Sequence, residues 1–157
     1  MTKIAVFPGT FDPFTNGHKD IVEKGLELFD EIIIAIGINT LKKTMFPLKK
    51  REEWIENTFK GNERIKVMHY KGLTTDFCRE HDAKFILRGL RTISDFEYER
   101  QIALVNSDLV PDIQSIFIMS AQRHSIVSSS IVRDLIMHNG SYQRFLPQEV
   151  RVDEAHP

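Results

Sequence analysis

The chain has 157 residues, 41% hydrophobic and 27% charged, with a formal net charge of −1 and a single cysteine. This is a globular composition of a length that supports one well-packed core, and residues 1–157 are expected to form one domain. It excludes an internal disulfide and a protein that coats nucleic acid by bulk electrostatics. In chain order, Lys3 to Phe7 (KIAVF) predicts a first strand, and Asn16 to Asp30 a helix with Ile21, Val22, Gly25, Leu26 and Phe29 on one face. Glu31 to Ile38 (EIIIAIGI) is a nearly continuous apolar run, as a parallel strand covered on both sides requires, and it is far too short to cross a bilayer. Lys49 to Lys60 predicts a helix with Trp54, Ile55 and Phe59 inward, Ile65 to Tyr70 a third strand, and Thr75 to His81 a short helix. Lys84 to Arg88 (KFILR) predicts a fourth strand. Ser94-Asp95-Phe96-Glu97 has the form of a capping box and predicts a helix to about Ser107. Ser115 to Met119 predicts a fifth strand, and Ser128 to His138 a last helix ending near Asn139-Gly140. A polar tail with a frayed end is expected from about residue 148.

Strands separated by helices imply right-handed crossovers and a parallel sheet, so the expected fold is α/β, a Rossmann-like doubly wound five-stranded parallel sheet. Ligands of such sheets sit beyond the carboxyl ends of the strands, at the point where strand order reverses. Four clusters follow strands: Gly9 and Thr10 with Thr15 to His18; Asn39 to Lys43; Arg88 to Arg91; and Arg123 to Ser125 with Ser128 to Ser130. Together they supply hydroxyls, helix N-termini and cations with few carboxylates, which points to a polyphosphate site. Each member also has a plain structural reading. His18 is a surface residue of a first helical turn, Lys42-Lys43 a solvated pair, Arg88 and Arg91 ion-pair partners, Ser128 to Ser130 an N-cap, Thr74 a cap, and Glu99 an exposed helix residue. Their joint placement at one edge of the sheet is what those readings leave unexplained. There is no GxGxxG after the first strand and no GxxxxGK[ST], so neither a nicotinamide dehydrogenase nor a Walker-type NTPase is supported. The histidines at 18, 69, 81, 124, 138 and 156 have no metal-ligand spacing with Cys78 or each other, and no protein metal site is expected. The start of the chain shows no apolar h-region, so the cytoplasm is the expected compartment, with no membrane and no nucleic acid as partner.

PGTFDPFTNGH, RGLR, DFEYE and SSSIVR, in this order, closely resemble the bacterial phosphopantetheine adenylyltransferase family, over about Lys3 to Pro147. Within the nucleotidylyltransferase superfamily, TNGH resembles the (H/T)xGH signature and SSSIVR its companion serine motif. The resemblance implies that ATP and 4'-phosphopantetheine react to dephospho-CoA and pyrophosphate. It implies Mg2+ as cofactor, a homohexamer, and coenzyme A as a feedback inhibitor. Carried over by position, His18, Lys42 and Arg91 are the catalytic residues. Thr10, Phe11, His18, Gly89, Leu90, Arg91, Glu99, His124, Ser125, Ile126, Val127, Ser128, Ser129 and Ser130 bind ATP, and Thr10, Lys42, Thr74 and Arg88 bind the acceptor. Relatives often carry a bulky aromatic at the place of His124 and an apolar residue at that of Thr74. The rival readings are another small-molecule nucleotidylyltransferase, such as one using nicotinamide mononucleotide, and a non-catalytic nucleotide-binding protein. The lack of positive charge counts against a tRNA-binding fragment.

Overall fold

A computed structural model describes residues 1–154. Five parallel strands, β1 (Ile4–Gly9), β2 (Glu31–Gly37), β3 (Ile65–Tyr70), β4 (Phe85–Leu90) and β5 (Gln114–Met119), form one sheet in the order β3-β2-β1-β4-β5. The intervening helices are α1 (Asn16–Gly25), α2 (Leu48–Thr58), α3 (Thr74–Glu80) and α4 (Ile93–Leu109), and α5 (Ser129–Met137) follows β5. This is the doubly wound α/β fold expected from the alternation of strands and helices.

The continuous apolar run of β2 is explained by packing on both faces. Ile32, Ile34 and Ile36 join the larger core beneath α1 and α2, with Phe14, Val22, Trp54 and Ile55. Ile33 and Ala35 point the other way, onto Phe77 and Cys78 of α3. No helix among the described residues is long and apolar enough to cross a membrane.

Three element boundaries differ from expectation. The first helix ends at Gly25 rather than Asp30, because Arg64 reaches over from the start of β3 and takes the carbonyls of Leu26, Phe29 and Asp30 at 2.5, 2.7 and 3.0 Å. The cap of α4 is Thr92, not Ser94: the Thr92 hydroxyl accepts from the Asp95 N–H at 3.1 Å, and Ser94 lies inside the first turn. The fourth strand runs on to Leu90, so Arg88, Gly89 and Leu90 are strand residues rather than loop.

The stretch after Pro147 is less free than a polar tail. Val150 and Val152 are buried in the main core, and the Tyr142 hydroxyl donates to Asp153 Oδ1 at 2.5 Å. The end of that tail, residues 155–157 with His156, lies outside the described residues. The opposite anomaly occurs on α4, where Ile93, Phe96, Tyr98, Leu104, Val105 and Leu109 are all exposed. Only Glu99 of this helix is buried.

Candidate active site

The site begins where the sheet opens. β4 stays paired with β5 over six positions, Phe85↔Gln114 to Leu90↔Met119, but pairs with β1 only at Ala5↔Phe85 and Val6↔Ile86. Beyond those pairs the two strands part. Pro8 has no N–H to offer a second neighbour. Its carbonyl instead accepts from Arg88 Nη1 at 2.7 Å, across the gap. This is also where strand order reverses, the place such sheets use for ligands.

The loop from Gly9 to Thr15 enters this opening. Phe11 has φ +50, and its ring folds back over Gly9, where an added Cβ would lie 2.8 Å from Phe11 Cζ. Asp12, buried and followed by a cis bond to Pro13, accepts from the amides of Met45 and Phe46 at 2.8 and 2.9 Å. Thr15 then caps α1. Its hydroxyl accepts from His18 N–H at 3.4 Å, while its own N–H donates to His18 Nδ1 at 3.0 Å. The TNGH stretch is thus a capping box with histidine in the third helical position.

That geometry fixes the chemistry of His18. With Nδ1 accepting, the ring proton sits on Nε2. Burial, then the guanidinium charges of Arg91 and Arg88, lowers the imidazole pKa to about 3, so His18 is neutral at working pH. The rings of Phe7, Phe11 and Phe14 stand 6.2, 5.0 and 5.4 Å from it and hold its plane.

Two cavities meet here. One, of about 340 Å³, is lined by Thr10, Phe11, His18, Lys42, Lys43, Arg88, Gly89, Arg91, Glu99, Val127, Ser128, Ser129, Ser130 and Arg133, among others. The second, of about 320 Å³, extends under α4 and β3 and includes Tyr70, Thr74, Ile102 and Asn106. Pro8, Gly9, Thr10, Lys42, Arg88 and Glu99 line both and form the boundary between them. Gly89 is needed where α1 crosses β4, since a Cβ there would lie 2.7 Å from Ile21 Cγ1.

The polar groups already have partners. Arg88 grips Glu99 through Nε and Nη2 at 2.7 and 2.5 Å. Arg91 grips Asp95 through Nε and Nη2 at 3.1 and 3.2 Å and sends Nη1 to the Val127 carbonyl at 2.9 Å, tying the end of β4 to the approach to α5. Burial alone would raise the Asp95 pKa, but the hydrogen bonds from Arg91 outweigh it and hold the carboxyl below its usual range. The three serines divide their work. Ser128 Oγ caps α5 by accepting from Ile131 N–H at 3.1 Å, Ser129 donates to the Pro13 carbonyl at 2.8 Å, and Ser130 accepts from Arg133 at 3.1 Å. Among the described residues, no three of His, Cys, Asp and Glu come together as a metal-binding group.

Not every residue marked from sequence lines this opening. Leu90 is buried, Ile126 is exposed, and neither Ser125 nor Ile126 lines either cavity. His124 borders a shallow hollow with Asn16, Lys19 and Arg123. Thr74 sits in the second cavity, its hydroxyl 2.7 Å from that of Tyr70. Cys78 is buried behind the sheet, its thiol pushed up to about 12 by desolvation, and lines neither cavity. Sequence reasoning missed Asp95, Arg133, Tyr70 and Arg51. The signal for Arg51 was its place three and four residues before Trp54 and Ile55, which puts a cation on the apolar face of α2.

Residues 6–135 match the cytidylyltransferase-like family. Phosphopantetheine adenylyltransferase of Flavobacterium johnsoniae is 50% identical over 148 residues, covering 94% of this chain and 97% of that protein. The protein of the same name from Bacteroides thetaiotaomicron is 50% identical over 149 residues, covering 95% and 98%. Among solved structures, a bifunctional NMN adenylyltransferase/ADP ribose pyrophosphatase from Francisella tularensis, complexed with AMP and Mn ion, superposes with a TM-score of 0.69 at 16% identity. That match covers 93% of this chain but 44% of the other, and it is a likeness of fold.

Proposed function

We propose that this chain, which belongs to the cytidylyltransferase-like family and within it to the phosphopantetheine adenylyltransferases, transfers the adenylyl group of ATP to the phosphate of 4'-phosphopantetheine, giving dephospho-CoA and pyrophosphate. The observation that carries this reading is the boundary of Thr10, Lys42, Arg88 and Glu99 between two adjoining cavities. ATP occupies the cavity below α1 and α5, the acceptor occupies the cavity toward Tyr70 and Thr74, and the reacting phosphates meet at the boundary. An acceptor that is not a phosphopantetheine, such as nicotinamide mononucleotide, is supported only by a likeness of fold.

The acceptor arrives as a phosphate anion, so the protein has no nucleophile to generate. Its work is alignment and stabilisation of charge on the equatorial oxygens of the α-phosphorus. His18 donates Nε2–H without carrying charge, Lys42 supplies a mobile cation on the boundary, and the N-terminus of α5 faces the nucleotide side. Transfer is a single in-line displacement without an adenylyl-enzyme. Asp95 and Glu99 in the nucleotide cavity are committed to arginines, and Asp12 to backbone amides. The protein therefore offers no carboxylate cage, and Mg2+ enters as part of the nucleotide substrate, where it screens the leaving pyrophosphate.

The remaining features of this reading are a single domain over residues 1–157, a cytoplasmic enzyme, a homohexamer, and inhibition by coenzyme A, which shares the pantetheine arm of the acceptor. Incubating the protein with ATP, Mg2+ and each acceptor in turn, and following pyrophosphate, tests the reaction. Release is expected with 4'-phosphopantetheine; release only with nicotinamide mononucleotide, or none at all, overturns it.

A further inference from the structure

We propose that Arg51 of α2 is a positioning residue for this reaction, holding the Thr10 carbonyl so that the following amide faces the nucleotide phosphates. A guanidinium in a core is tolerated only when its donors are used. Arg51 is 5% exposed, and it donates through Nε to the Phe46 carbonyl at 3.0 Å and through Nη1 to the Thr10 carbonyl at 2.7 Å. Asp12, 4% exposed, answers from the other loop by accepting from Met45 and Phe46 N–H. Thr10 to Asp12 are thus fastened to residues 45–51 from both sides. The first segment carries Thr10 and the second follows Lys42 by three residues, and both Thr10 and Lys42 line the boundary between the cavities.

The peptide between Thr10 and Phe11 is where this fastening acts. In a trans peptide the carbonyl and the next N–H point in opposite directions. Turning the Thr10 carbonyl inward to Arg51 therefore turns the Phe11 N–H outward, on the side of the nucleotide cavity that both residues line. Phe11 has φ +50, a conformation that L residues reach only when their surroundings impose it, and Arg51 supplies one of those constraints. Without it the peptide is free to rotate, and the cavity would face a carbonyl oxygen where an anion needs a donor.

The proposal rests on the adenylyl-transfer reading, so the test includes a measurement that needs no acceptor. In the 15N-labelled protein, the Phe11 amide resonance is expected to move downfield when ATP is added. Arg51→Gln is expected to lose that shift and to lower kcat by ~10–100-fold while ATP affinity changes much less. Arg51→Lys, which keeps the charge and one donor, is expected to recover part of both, and it decides the matter if the glutamine variant does not fold. A folded variant with a full Phe11 shift and unchanged kcat overturns the proposal, and so does one whose only change is a lower melting temperature.

Discussion

His18 acts through a proton it keeps. Desolvation and the two arginines hold its pKa at about 3, so it donates to phosphate as a neutral group and pays no desolvation penalty for a charge. His18→Ala is expected to lower kcat by ~10²–10³-fold with a much smaller change in ATP affinity, because its hydrogen bond strengthens with charge in the transition state. Normal kcat with only a raised KM for ATP would contradict that role. The pH dependence follows from the same shift. Between about 3 and 6.5 the unfolded chain protonates this histidine and the folded one does not, so stability falls as pH falls through 6.5. Thermal melts should show a shallower slope across that window for His18→Ala than for the parent, and the parent kcat should show no inflection near 6.5 from this group. The residue itself was legible in TNGH, because a histidine at a helix start after a strand is a recognisable pattern. Its neutrality was not, because Arg88 and Arg91 reach it only when β4 is laid beside β1.

Helix ends were the least legible elements. Ser94-x-x-Glu97 has the form of a capping box, yet Thr92-x-x-Asp95 two residues earlier takes the cap, and a strand running to Leu90 leaves room for no later start. Thr92→Ala is therefore expected to cost about 1 kcal/mol in denaturant unfolding, whereas Ser94→Ala should change stability by a few tenths. Equal losses would show that both positions cap. The early end of α1 was hidden for a different reason. Its apolar face continues through Leu26 and Phe29, but the carbonyls that would extend the helix are taken by Arg64, 34 residues beyond Asp30 in sequence. The strands, by contrast, were readable, since β1 and β2 bury both faces and must be apolar throughout.

At the scale of the molecule, alternation of strands and helices was enough to give the sheet, and the motif order was enough to place the opening at its C-terminal edge. The partition of that opening into two cavities was not legible, because its shared wall joins β1, the loop after β2, β4 and α4. The apolar side chains of α4 remain uncovered, with Leu104 55% and Val105 57% exposed, which supports their burial against other copies in the proposed hexamer. Light scattering should give six times the chain mass for the parent and a smaller species for Leu104→Glu. A monomeric parent would contradict the assembly. The central claim is direct transfer between ligands in the two cavities, and ATP made chiral at its α-phosphorus by sulfur substitution tests it most directly. The account predicts that the thiophosphoryl group appears in dephospho-CoA with inverted configuration, as one in-line displacement requires. Net retention, which demands two displacements and a covalent enzyme intermediate, would contradict it.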